Sequence, residues 1–104
     1  MERVGFTMLL LPGQEAEYRR RHADVWPEML DALKAAGVRD YSIFLHGIDL
    51  FAYLEVDDFD SFREGMAATE VNDRWQADMA ELIDPLTDPA TGFHQRLEEI
   101  FHLD

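Results

Sequence analysis

The chain reads as an α+β fold of order β, α, β, β, α, β, the split βαβ or ferredoxin-like plan, with helices on one face of a four-stranded antiparallel sheet. Three observations carry that reading. Apolar residues alternate with period two in residues 3–11, 38–46 and 50–56; they recur at helical spacing in the stretches between; and Pro12-Gly13, Gly37, His46-Gly47-Ile48-Asp49 and Asp84-Pro85 punctuate the pattern. With 104 residues and no Pro/Gly/Ser-rich linker, there is room for one domain, residues 1–104.

In the first strand Val4, Phe6, Met8 and Leu10 share one face, and the other face, through Leu9 and Leu11, also turns apolar. Pro12-Gly13 leads into a helix from about Gln14 to His22 or Ala23. Pro27 lacks an amide proton and pushes Trp26 out of helical angles, so a second helical piece starts near Pro27 and stops at Gly37. The strand 38–46 puts Tyr41, Ile43 and Leu45 on one face, and Leu50 to Val56 returns antiparallel through the hairpin. Phe59, Phe62 and Met66 form the inner face of the next helix. Gly65 weakens it by about 1 kcal/mol relative to alanine, and Thr69 restarts a helix as its N-cap, with Val71, Trp75, Met79 and Leu82 inward. The stretch from Asp84 to about Phe93 reads as irregular, and Leu97 to Leu103 as the final strand.

Apolar residues at 47% supply a core and exclude disorder. The formal charge of −13 repels phosphate backbones and anionic membranes, so neither nucleic acid nor a membrane is an expected partner. Arg19-Arg20-Arg21 could grip a phosphate, but Glu15 and Glu17 precede Arg19 and Arg21 by one helical turn and favour surface ion pairs and a neutral substrate. Without cysteine there is no disulfide, thiolate nucleophile or cysteine-held metal, which fits a cytoplasmic location. The run Val4 to Leu11 is too short to span a bilayer. Helices on one face of the sheet leave the other, partly apolar face in need of cover, and a second copy of the chain is the obvious one.

Tyr18, His22 and Trp26 recur every four residues and stack a phenol and an imidazole on one helical face, the makings of a small proton-transfer site. The segment Tyr18, Arg21-His22, Trp26-Pro27-Glu28 resembles the opening helix of the L-rhamnose mutarotase family. The likeness extends through Thr69 to Trp75 and the tail Leu97 to Leu103, and so covers nearly the whole chain. The resemblance implies a homodimer in which two sheets pack face to face, a dimeric α/β barrel. It also implies His22 as proton donor, with Tyr18, Tyr41, Trp75 and Gln76 contacting a small neutral sugar. Mutarotation opens a cyclic sugar by protonating the ring oxygen while the anomeric hydroxyl loses its proton, so it needs one acid, one base and no cofactor or metal.

Each of these residues also has a plain structural alternative. His22 could cap its helix with a single hydrogen bond, either tyrosine could be core with a surface hydroxyl, and Trp75 falls in the stripe Val71, Trp75, Met79. Gln76 stands where the family often has a second aromatic; it can hydrogen-bond a hydroxyl but cannot stack, which keeps L-fucose beside L-rhamnose. Trp26 is expected to pack at the kink, and Glu28 to serve the helix dipole. His46, His94 and His102 show no metal-ligand spacing, and Asp57-Asp58 and Glu98-Glu99 read as solvated. A cofactor-free monooxygenase acting on aromatic polyketides and a non-catalytic ligand-binding module are the readings from other classes.

Overall fold

In a computed structural model describing residues 1–104, strand β1 (Glu2–Leu10) is the element on which the sheet is built. Helices α1 (Glu15–Ala23) and α2 (Pro27–Ala35) follow, then the hairpin β2 (Val38–His46) and β3 (Asp49–Val56), then helices α3 (Phe59–Ala67) and α4 (Glu70–Met79). Two short strands, β4 (Ile83–Asp84) and β5 (Gln95–Leu97), complete the chain. The sheet order is β2-β3-β1-β4, all antiparallel, with β5 also on β1. This is the expected ferredoxin-like topology.

The expected period-two alternation is what buries the core. Val4, Phe6, Met8 and Leu10 of β1 and Leu50, Ala52, Leu54 and Val56 of β3 all face inward and are buried. Phe59, Phe62, Met66, Val71, Trp75, Met79 and Leu82 meet them from the helical side, in one cluster of 18 buried residues with no buried charge. The outer sheet face keeps Phe44 62% and Phe51 42% exposed, the uncovered apolar surface that the sequence pattern anticipates.

The helix boundaries follow their signals. Trp26, extended at φ −56°, ψ 134°, precedes Pro27 at the first helical position, and its carbonyl accepts from the amides of Met29 and Leu30. Gly37 closes α2 at φ +96°, a left-handed conformation that a side chain would strain. Thr69 caps α4, its hydroxyl accepting from the Asn72 amide, and Asp58 caps α3 by accepting from the Ser61 amide at 3.0 Å. Asp58 therefore does more than face solvent, as does Glu99, which pairs with Arg3 at 2.9 Å.

The last strand differs from expectation. It is split: β4 pairs with Leu9 and Leu10, β5 pairs with Gly5 to Thr7, and residues 85–94 bulge out at the place opposite Met8. Leu97 to Leu103 is not a strand; only Leu97 belongs to β5, and Ile100, Phe101 and Leu103 are largely exposed. On this register Phe101 and Leu103 would fall beyond Glu2, where β1 begins. The register that sets Leu97 against Gly5 brings Glu99 to Arg3, near the start of β1, and an ion pair there replaces the ladder. Residues 85–94 are themselves ordered by hydrogen bonds, Asp88 N–H to Phe93 O at 2.7 Å and Gly92 N–H to Asp88 O at 2.8 Å.

Because both caps satisfy otherwise orphan amides, Asp58→Ala and Thr69→Ala are each expected to cost about 1 kcal/mol of stability. Urea unfolding followed by circular dichroism measures this, and the two losses should add because the caps share no partner.

Candidate active site

The break between α1 and α2 brings His22, Trp26 and Trp75 together. Arg21, on the last turn of α1, donates to the Asp78 carbonyl at 2.8 Å and reaches Glu81 at 3.3 Å, which ties α1 to the end of α4. The imidazole of His22 then lies 5.4 Å from the Trp75 ring, edge to face, and Trp75 meets Trp26 the same way at 5.1 Å. Trp26 packs at the kink as expected, with the Arg74 guanidinium over its ring at 5.7 Å. Glu28, in the first turn of α2, also pairs with Arg74 at 3.3 Å, outside the site.

Between helices and sheet lies an open cavity of about 1110 Å³, lined mainly by apolar side chains. His22, Tyr41, Trp75 and Gln76 all line it. Trp75 is at once a buried member of the α4 stripe and part of the wall. Gln76 is exposed at the rim, where its amide donates to Asn72 Oδ1 at 3.2 Å. Tyr18 is not on the wall: it is buried behind the imidazole, ring on ring at 4.1 Å.

The Nδ1–H of His22 donates to the Tyr18 carbonyl at 3.0 Å, because a carbonyl only accepts, and this leaves Nε2 for whatever occupies the cavity. Desolvation lowers the pKa of His22, partly offset by that hydrogen bond. Burial pushes the Tyr18 phenol up to about 12. It raises Tyr41 too, and there Tyr18 adds to the effect. Both are protonated hydrogen-bond donors near neutral pH.

Two of the three arginines of the basic cluster are engaged, whereas the expected Glu15–Arg19 pair does not form. Glu17 binds both Arg20 and Arg21, and these two guanidiniums hold its carboxyl down at about 2. No group of histidine and carboxylate side chains is arranged to hold a metal ion. No helix is long and apolar enough to cross a membrane.

Residues 3–103 match the family model for L-rhamnose mutarotase. This chain belongs to the L-rhamnose mutarotase family. It is similar to the L-rhamnose mutarotase of Bacillus subtilis, at 43% identity covering all of both chains. It is also similar to that of Paraburkholderia xenovorans, at 42% identity covering all of this chain and 97% of the other. The crystal structure of an L-rhamnose mutarotase from Formosa agariphila superposes with a TM-score of 0.81, at 33% identity and full coverage of both.

Sequence reasoning missed one side of this mutarotase-family cavity: Phe6, Phe93 and His94 line it as well. Phe6 was legible only as core. Phe93 and His94 arrive on the 85–94 excursion, which carries no periodicity, so nothing in the sequence tied them to His22.

His94, like His22, has its pKa lowered by desolvation. The folded chain therefore binds these protons less readily than the unfolded chain. Their stability contribution is complete above about pH 6.5 and is lost as pH falls through the lowered folded values. Urea unfolding between about pH 8 and pH 5 should show this loss, and His22→Gln with His94→Gln should flatten it. An unchanged slope in the double variant would assign the loss to carboxylates instead.

Proposed function

We propose that this protein is an isomerase that interconverts the α and β anomers of a 6-deoxy-L-hexose, with L-rhamnose as the favoured sugar. The observation that carries the reading is His22, fixed at Nδ1 by the Tyr18 carbonyl, with Nε2 left free on a cavity wall shared with Tyr41 and Trp75. That volume is slightly above the usual range for small-molecule sites, about 300 to 1,000 Å³, and leaves ample room for one pyranose. Its mixed wall suits a sugar that has hydroxyls on one part and a methyl group on another. The family match and the named relatives favour neither the L-fucose nor the monooxygenase alternative.

In this mechanism His22 gives the proton on Nε2 to the ring oxygen as the bond from C1 breaks and the anomeric hydroxyl loses its proton. Rotation about the C1–C2 bond and reclosure yield the other anomer. Tyr41 donates to a sugar hydroxyl from the wall. Tyr18 holds the imidazole from behind. Trp75 presents a ring surface to the sugar, and Gln76 a hydrogen-bonding amide at the rim. The steps move protons only, so no cofactor or metal is called for.

Exchange between anomers, followed by saturation transfer on the anomeric protons of L-rhamnose and L-fucose, tests this. His22→Ala is expected to lose about 10² to 10⁴-fold, the usual worth of a positioned proton-transfer group. Tyr41→Phe is expected to lose up to about tenfold, in keeping with one hydrogen bond. Wild-type rates equal to buffer on every 6-deoxy sugar would end the reading.

The protein is also proposed to act as a homodimer, with two outer sheet faces packed together, and to be cytoplasmic, in keeping with its lack of cysteine. Phe44 and Phe51, neighbours across β2 and β3, supply the apolar centre of that face. Sedimentation velocity should give a dimer for the wild type and a monomer for Phe44→Asp with Phe51→Asp. A monomeric wild type would refute the pairing.

A further inference from the structure

Resting on the mutarotase reading, we infer that His94 is the proton acceptor for the anomeric hydroxyl, working with His22 as a two-imidazole pair in one cavity. Both rings line the same cavity. His94 lies flat on Phe6 at 4.9 Å and 6°, Phe6 meets Tyr41 edge to face at 6.4 Å, and Tyr18 stacks on His22.

The two imidazoles are held alike. His94 Nδ1–H donates to the Pro85 carbonyl at 2.8 Å, as His22 Nδ1–H does to that of Tyr18. Each therefore offers Nε2 alone, as a lone pair when neutral and as N–H when charged. The excursion that carries His94 is tied down. Arg63 donates to the Thr91 carbonyl and lies over the rings of Phe59 and Phe93, and Phe93 packs on His94 at 4.8 Å.

The guanidiniums of Arg63 and Arg96 lie over the aromatic rings beside His94, with Arg96 4.6 Å from the centre of Phe59. Asp60 and Glu64 share the cavity wall, and Asp60 is 4.0 Å from Arg63. With His22 as the proton donor of the mutarotase reading, His94 is the second imidazole on the cavity and so stands as the base.

On ring opening, His94 Nε2 takes the proton of the anomeric hydroxyl, the C1–O1 double bond forms, the C1–O5 bond breaks and O5 takes the proton of His22. Closure runs the same transfers backwards, and both side chains recover their starting states.

His94→Asn keeps an N–H near the Nδ1 position for the Pro85 carbonyl but cannot accept a proton. With L-rhamnose, this variant is expected to lower the maximal exchange rate about 10² -fold, with KM within a few-fold of wild type. The acid limb of the wild-type pH profile, where the base takes up a proton, should vanish with it. His94→Gln, placed beside it and checked by near-ultraviolet circular dichroism, should behave alike. An unchanged maximal rate in folded His94→Asn, or a loss confined to KM, overturns the assignment and leaves the mutarotase reading standing. Absence of wild-type exchange overturns both.

Discussion

The packing of Phe6 against Tyr41, Phe93 and His94 is the contact on which both the core and the cavity depend. Phe6 sits at the middle of β1, whose two edges hold the rest of the sheet, and its ring is almost wholly buried. Because side chains alternate strictly along a strand, the pairing that buries Val4, Met8 and Leu10 also aims Phe6 into the site. Core and cavity are thus one packing problem. A slip of β1 by one residue would carry all four side chains to the outer face and dismantle both together.

The second constraint is the proline break. An unbroken helix through Trp26 would keep Tyr18, His22 and Trp26 on one face, pointing the same way. Pro27 removes that option, and Trp26 turns aside onto Trp75. His22 is left at the end of α1, between Tyr18 and Trp75, where desolvation favours its neutral form. Its single hydrogen bond to the Tyr18 carbonyl is the modest capping contact of an ordinary helix end. That contact also dictates which nitrogen meets the cavity, so the plain structural role and the chemical one belong to the same geometry.

Legibility in the sequence follows the length of the local signal. Elements from β1 to α4 run eight to ten residues each and carry full periods, and their bounds agree with the pattern to within a residue or two, except that α4 stops at Met79, short of Leu82 and of the Asp84-Pro85 break expected to end it. The halves of the fourth strand, Ile83–Asp84 and Gln95–Leu97, are too short to hold a period of two. The apolar tail Ile100, Phe101, Leu103 has the composition of a strand but no remaining length of β1 to pair with, and composition does not reveal the length of a partner. On the site side, His22 stood out by its helical spacing and Tyr41, Trp75 and Gln76 through the family resemblance, and all four line one cavity. The buried position of Tyr18 depends on how α1 packs, and His94 on a bulge in the sheet, so neither has a local signature.

Charge explains why a site of this kind suits a neutral substrate. The chain carries a formal charge of −13, yet most of the cavity lining is apolar, and its charged groups are Asp60, Glu64 and Arg63, with Asp60 4.0 Å from Arg63. An anionic sugar would approach against the summed field and find Arg20 and Arg21 already taken by Glu17. A neutral sugar meets no such barrier. It also brings no charge to raise the pKa of the imidazoles, so both stay desolvated when the site is filled. An acid and a base on one cavity can run the same transfers in either direction, which is what an isomerisation between anomers requires.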